Sequence, residues 1–385
     1  MDIGIPRETT EGERRVALLP DGAARLIGAG HRVLVERGAG AEAHVPDQAY
    51  ETVGAVMAYD AGALFAQSDL VLKVRAPSAA EVALLRPGTA LVGLLQPLVS
   101  PDLVRSLAAA QITSFSLDTL PRISRAQSMD VLTSMSTVAG YRAVLTGANL
   151  LGKFFPLLMT AAGTITPAKL LVLGAGVAGL QAIATARRLG AVVQAFDTRP
   201  AVKEQVESLG ASFLTLPPLA QAEATGGYAR QLAEEEIERE RELLRAPVQE
   251  ADVVITTALI PGTRAPVLLT RAMVEAMRPG SVIVDLAAEG GGNCELAVPG
   301  QRVQVGDVVI DASLNVPSQM PQHASQLFSR NLTAYTTHLL SVGLRRDADG
   351  REELDRSDEI VVGTCITHRG AVVHEATRAR MERST

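Results

Sequence analysis

The sequence contains no tryptophan, and aromatic residues make up 3% of its 385 positions. Binders of single-stranded nucleic acid stack bases on aromatic rings, and that platform is missing. A basic surplus is missing too: 36 Lys and Arg stand against 42 Asp and Glu, for a formal net charge of −6. Phosphate backbones need the opposite balance, so nucleic acid is not an expected partner. The two cysteines, Cys294 and Cys365, lie far apart without the short spacings of a metal site. They read as small buried hydrophobes of a reducing compartment, and no metal is expected. No basic segment followed by an apolar one opens the chain, so no signal peptide is expected. The uncharged stretch Leu170 to Ala186 falls short of the ~20 residues of a spanning helix and is interrupted by glycines.

What is present is a large apolar fraction, 47%, with 20% charged residues. A globular chain of this length is expected to form about two domains. Short apolar runs at Asp2–Pro6, His31–Glu36, Leu70–Val74, Ala90–Leu95 and Gln111–Ser116 alternate with helical stretches. A second series runs through Lys169–Leu173, Ala191–Phe196, Ser212–Leu214, Asp252–Thr256, Ser281–Asp285 and Val308–Ile310. Strands interleaved with helices predict mostly parallel sheets covered on both faces. The expected fold class is therefore α/β, with two Rossmann-like domains. The second, 133–321, is inserted into the first, 1–132 and 322–385. Residues 131–158 read as a helical connection up to Pro156, and the tail after Arg345 as polar apart from Glu359–Thr367. Between Gln221 and Glu250 the connection is long, which favours a functional segment. Its charged part, Glu234 to Arg245, reads as a solvated helix face.

The strand Lys169–Leu173 runs directly into Gly174-Ala175-Gly176-Val177-Ala178-Gly179 and then into a helix. In a dinucleotide fingerprint the first glycine makes the sharp turn. The second lets backbone approach the pyrophosphate, and the third lets helix and strand pack closely. The helix start, at Val177, presents amides and partial positive charge to phosphate. A second strand ends in Asp197, near the ~20-residue spacing at which an acid accepts from ribose hydroxyls. A carboxylate there repels a 2′-phosphate, so NAD(H) is expected over NADP(H). Arg199, two residues on, pulls the other way, since an arginine can accommodate that phosphate.

A general acid or base is harder to find. None of the six histidines lies beside the fingerprint or in a catalytic motif; only His323, after Asn315-Val316-Pro317, stands near one of interest. An unusual polar stretch, Arg122-Ile123-Ser124-Arg125-Ala126-Gln127-Ser128-Met129-Asp130, precedes a long helix. Asp130 reads as a cap for that helix. Capping leaves Arg122, Arg125 and Gln127 unaccounted for, and together they suit the polar lining of a nucleotide cleft.

At these residues the chain resembles the NAD(H)-binding component of proton-translocating nicotinamide nucleotide transhydrogenase, over essentially its whole length. The most specific matches are Arg122–Asp130, Ala139–Ala143, Met159–Thr164, Gly226-Gly227-Tyr228-Ala229, Thr256–Gly262, Gly291-Gly292-Asn293-Cys294 and Asn315–Ser318. The resemblance implies that Arg122, Gln127 and Asp130 sit beside the nicotinamide and its ribose, with Thr133 close by. Gln127 would position the ring against a second nucleotide. Asp197, with Thr198 and Arg199 beside it, would hold the adenosine side. Thr257, Ala258 and Leu259 would line the pocket, and Gly227 and Tyr228 would belong to a loop that closes over the nucleotide. It also implies a homodimer on the cytoplasmic face of the inner membrane. Membrane-embedded partner subunits, including an NADP(H)-binding component, would hold it there.

The chain is similar to alanine dehydrogenase as well. Arg15 and Lys73 match that enzyme's substrate-binding basic residues, or serve as structural ion pairs. Gln96 aligns with its catalytic histidine, and Glu289 with its active-site aspartate. An amide cannot shuttle the proton that amino-acid oxidation releases. Hydride transfer between two nicotinamides releases no substrate proton and needs only geometry: carbons about 3–3.5 Å apart, oriented rings and excluded water. The expected reaction is thus hydride transfer from NADH to NADP+ held by a partner, coupled to proton translocation. A self-contained NAD-dependent amino-acid dehydrogenase is the alternative, and a non-catalytic NAD sensor a third reading.

Overall fold

The computed structural model describes residues 1–215, 234–259, 264–346 and 352–383. The chain divides into two compact units, Met1–Met135 with Ser318–Thr385, and Ser136–Pro317. The first stretch of the first unit supplies strands β1 (Asp2–Ile5), β2 (Arg32–Glu36), β3 (Val56–Ala58), β4 (Leu70–Arg75), β5 (Ala90–Leu94) and β6 (Thr113–Ser116). In the second unit lie β7 (Leu158–Thr160), β8 (Gly163–Ile165), β9 (Lys169–Leu173), β10 (Val192–Phe196) and β11 (Ser212–Leu214). It continues with β12 (Val253–Thr256), β13 (Val282–Asp285), β14 (Arg302–Val305) and β15 (Val308–Asp311). The returning stretch adds β16 (Leu344–Arg346), β17 (Glu352–Leu354), β18 (Cys365–His368) and β19 (Ala371–Val372).

The first unit is built on an eight-stranded sheet in the order β19-β18-β6-β5-β4-β1-β2-β3. Its strands β1 to β6 pair in parallel, while β18 pairs antiparallel with β6 and with β19. The returning helix Pro321–His338 is tied to the start of the chain: the hydroxyls of Ser325 and Ser329 accept from the amides of Val16 and Leu19, at 3.1 and 2.9 Å. The polar tail thus contributes strands of its own, which its composition did not announce.

A seven-stranded sheet, β11-β10-β9-β12-β13-β15-β14, is the centre of the second unit, parallel except for β14. Successive side chains of a strand point to opposite faces, and the apolar runs divide accordingly. Leu170, Val172, Val253, Ile255, Val282 and Val284 enter one core with Ala143, Val144 and Ile183. Leu171, Leu173, Val254 and Ile283 enter another with Leu244, Val248 and Met273. Strands buried on both faces read as continuous apolar runs, which is why they are visible in the sequence. Both units are Rossmann-like, as the fold class expected. Cys294 and Cys365 are both buried free thiols.

Three local expectations are corrected. The helix Val131–Leu150 ends six residues before Pro156, and a hairpin, β7–β8, occupies part of what followed. Strands β3 and β14 were not foreseen; they are short edge strands with exposed positions, which leave no apolar run. The charged helix, Glu234–Glu250, is not simply a solvated face: Glu240 is 1% exposed. Leu244 and Val248, one and two turns on, share its face and lie in the core.

Candidate functional site

In the second unit the winding reverses beside β9, with β10 on one side and β12 on the other. Open α/β sheets bind ligands at the carboxyl ends of strands at such a point. Here the glycine turn leaves β9. Gly174 has φ +99°, a left-handed conformation that a side chain resists. A Cβ on Gly179 would stand 1.8 Å from the Gly174 carbonyl oxygen, so only glycine lets the helix Val177–Arg188 approach the strand this closely. A Cβ on Gly176 would meet nothing within 4 Å. The space beside it is open and no side chain caps the helix start, where Val177 is 39% exposed. These are the features a pyrophosphate requires, and an NAD(H) fits them.

Asp197 follows β10 and ties the strand end to the turn. Its Oδ2 accepts from the Ala175 amide at 2.7 Å and from Arg199 Nη2 at 3.0 Å. Its Oδ1 accepts from the Arg199 amide and Nε, both at 2.9 Å. Arg199 is therefore folded back onto Asp197, and the bidentate pair neutralises the guanidinium that a 2′-phosphate would need. Thr198 between them is half-buried. On the opposite side of β9, the Thr257 hydroxyl donates to the Gly174 carbonyl at 3.0 Å, and Ala258 and Leu259 follow it, Leu259 46% exposed. Gly227 and Tyr228 lie outside the described residues.

One carboxyl near this turn was not anticipated. Glu240 Oε1 is buried without a hydrogen-bond partner. Burial, then the negative charges of Asp197 and Glu236, push its carboxyl up to about 7. Its place in a charge run hid it, since a run of Glu and Arg gives no hint which residue turns inward.

The first unit holds the other group of expected residues. Ser124–Met129 forms a 3₁₀ helix leading into Val131–Leu150. Asp130 caps the long helix: Oδ1 accepts from the Thr133 amide at 2.9 Å and Oδ2 from the Thr133 hydroxyl at 2.6 Å. Arg122 and Gln127 are exposed. Arg125 points away to an ion pair with Asp358 and Glu359, at 3.2 and 2.8 Å, so it does not join them.

The residues matching alanine dehydrogenase are also in place in their own units. Arg15 is buried and makes a two-point contact with Glu13, at 2.8 and 2.6 Å. Lys73 donates to Glu81 at 2.6 Å and lies 3.5 Å from Glu8. Burial pushes the Glu8 carboxyl up, with Lys73 opposing. Both cations are thus neutralised within the protein. Gln96 has φ +50°, and its amide donates to Asp118 at 2.9 Å, leaving the side chain exposed. In the second unit the Glu289 carboxylate accepts from the Asn315 amide at 2.7 Å. His323 is exposed on its helix.

Comparison with known proteins matches residues 4–139 to the alanine dehydrogenase/PNT N-terminal domain and 143–375 to the alanine dehydrogenase/PNT C-terminal domain. In Rhodospirillum rubrum, the first of the pieces that make up NAD(P) transhydrogenase subunit alpha is 47% identical over 98% of this chain and 98% of that protein. A transhydrogenase crystal structure from Sinorhizobium meliloti superposes with a TM-score of 0.84 at 42% identity, over 98% of this chain and 100% of the other. The alanine dehydrogenase of Bacillus subtilis is more distant, 32% identical over 89% of this chain and 86% of that enzyme.

Proposed function

The chain belongs to the alanine dehydrogenase/PNT family, and from that premise we propose that it is the NAD(H)-binding subunit of a proton-translocating NAD(P) transhydrogenase. The Rhodospirillum rubrum relative is named as one piece of a divided alpha subunit, which supports further subunits, one of them binding NADP(H). When bound, NADH supplies a hydride, and NADP+ on the partner subunit accepts it.

The chain's own residues bind and orient. Gly174, Gly176, Gly179 and the helix start at Val177 hold the pyrophosphate, and Asp197, with Thr198 and Arg199, takes the adenosine ribose. Thr257, Ala258 and Leu259 form the wall on the β12 side. Arg122, Gln127, Asp130 and Thr133 orient the nicotinamide end, Gln127 being the residue that positions the ring. Location on the cytoplasmic face of the inner membrane, through partner subunits, accords with the helices. Among the described residues none is long and apolar enough to cross a membrane. Exposed Phe154, Leu157, Met159 and Ile165 around the β7–β8 hairpin support a homodimer.

Gln96 carries the choice between the family's activities. It stands where the resemblance aligns the histidine of alanine dehydrogenase, and an exposed amide neither takes nor returns a proton at neutral pH. Mixing the purified chain with an NADP(H)-binding transhydrogenase component, NADH and thio-NADP+ tests this directly. Reduction of the analogue is expected only when both proteins are present. Its absence would favour a sensor, and NADH formation from NAD+ and L-alanine by the chain alone would restore the dehydrogenase.

A further inference from the structure

We propose that Asn293 is the positioning residue that sets the 257–259 loop against the glycine turn, held in place by the buried carboxylate of Asp285. This deepens the NAD(H) reading and rests on it.

Asp285 closes β13 and is 1% exposed. Its Oδ1 accepts from the Thr256 hydroxyl and the Ala287 amide, both at 2.9 Å. Its Oδ2 accepts from the amides of Asn293 and Cys294, at 2.8 and 2.9 Å. Four donors converge on one carboxylate, so the strand end and the Asn293 backbone move as one piece. The approach depends on Gly291 and Gly292, at φ +103° and +80°; a Cβ on Gly292 would already come within 3.0 Å of Asp285 Oδ2.

Asn293 is 0% exposed and uses its whole carboxamide. Its Oδ1 accepts from the Ala258 amide at 3.0 Å, while Nδ2 donates to the Ala258 and Pro266 carbonyls, each at 2.8 Å. Both side-chain hydrogens and the oxygen are engaged, so the amide has one orientation. Its main-chain carbonyl accepts from Leu268 and Leu269, at 2.8 and 2.9 Å. The loop is therefore gripped from two sides. Thr257 binds the turn at Leu173 and Gly174, and Asn293 takes both peptide groups of Ala258. Ala258 and Leu259 are then left to present apolar surface, rather than peptide groups, toward a ligand.

Winding order predicts which half of the nucleotide depends on this. Asp197, after β10, lies on one side of β9, and the 257–259 loop, after β12, on the other. A dinucleotide straddles the crevice, so the adenosine half belongs to the β10 side and the nicotinamide half to the β12 side. Asn293 should govern the second half and leave the first alone.

Asn293→Asp keeps the shape but removes both donors and sets an oxygen against the carbonyls of Ala258 and Pro266. The variant is expected to bind NADH at least about tenfold more weakly while AMP affinity stays within about twofold. NADH fluorescence and calorimetry with AMP read the two values. Unchanged NADH affinity would overturn the proposal, and so would equal weakening of both ligands, which marks a residue that merely holds the unit together. If Asn293→Asp does not fold, Asn293→Ser is put through the same pair of titrations; failure of both to fold makes Asn293 a folding residue and also overturns it. Wild-type protein that does not bind NADH would refute the underlying reading instead.

Discussion

Burying one carboxyl near another opposes ionisation, and Glu240 is held in that situation by the packing of its helix face. Its ordinary value of 4.5 rises to about 7 through burial and the charges of Asp197 and Glu236. Below pH 4.5 the group is neutral in folded and unfolded chains and contributes nothing to the difference. Between 4.5 and about 7 the unfolded chain ionises first, so stability falls with rising pH. Above that window the loss is constant, roughly 3 kcal/mol at most. Glu240→Gln should accordingly raise the melting temperature at alkaline pH and leave it unchanged near pH 4. A gap of equal size at both ends would contradict the account. Asp197 offers a second residue-scale test. Removing it withdraws acceptors from the ribose and releases Arg199 from its pair. Asp197→Ala is expected to weaken NADH binding by about 10–100-fold and to narrow the preference over NADPH. Titrations with the two nucleotides measure the ratio, and an unaltered ratio would remove Asp197 from this role.

The glycine turn and the helix Val177–Arg188 behave as one element with two separable requirements. Gly179 serves packing, because its missing Cβ is what lets the helix lie against Gly174. Gly176 serves the ligand, because the protein leaves room for a methyl group there and φ is an ordinary −74°. Gly176→Ala should therefore weaken NADH binding with little change in melting temperature. Gly179→Ala should lose binding and stability together, by about 1–3 kcal/mol for the forced shift. Thermal melts and NADH titrations of the two variants check the split, and matching losses of stability would sink it.

For the whole molecule, the same winding appears twice: β3-β2-β1-β4-β5-β6 in one unit and β11-β10-β9-β12-β13-β15 in the other. Only the second carries a glycine turn after its first strand; the first unit places its buried carboxylates and cations near the corresponding strand ends. The β7–β8 hairpin adds an apolar patch that a single copy leaves in water, Met159 being 78% exposed. In the homodimer proposed above, that patch is expected to be covered. Met159→Asp combined with Ile165→Asp should shift the chain from dimer to monomer in sedimentation experiments, without loss of NADH binding. A dimer of undiminished strength would place the interface elsewhere.

Local patterns were legible from the residues alone. The apolar runs of the central strands, the glycine spacing from Gly174 to Gly179 and the acid after β10 each depend on neighbours a few positions away, so composition and period reveal them. Other features were decided only when the sheets wound. Asn293 meets Ala258 across 35 positions, and Ser114 meets Thr367 across 253. The folding of Arg199 onto Asp197, the inward turn of Glu240 and the joining of the tail to β6 also depend on tertiary packing. A linear pattern records which face of a strand or helix is apolar. It does not record which distant polar groups will be brought opposite one another once water is excluded, and in this protein those pairings shape the candidate site.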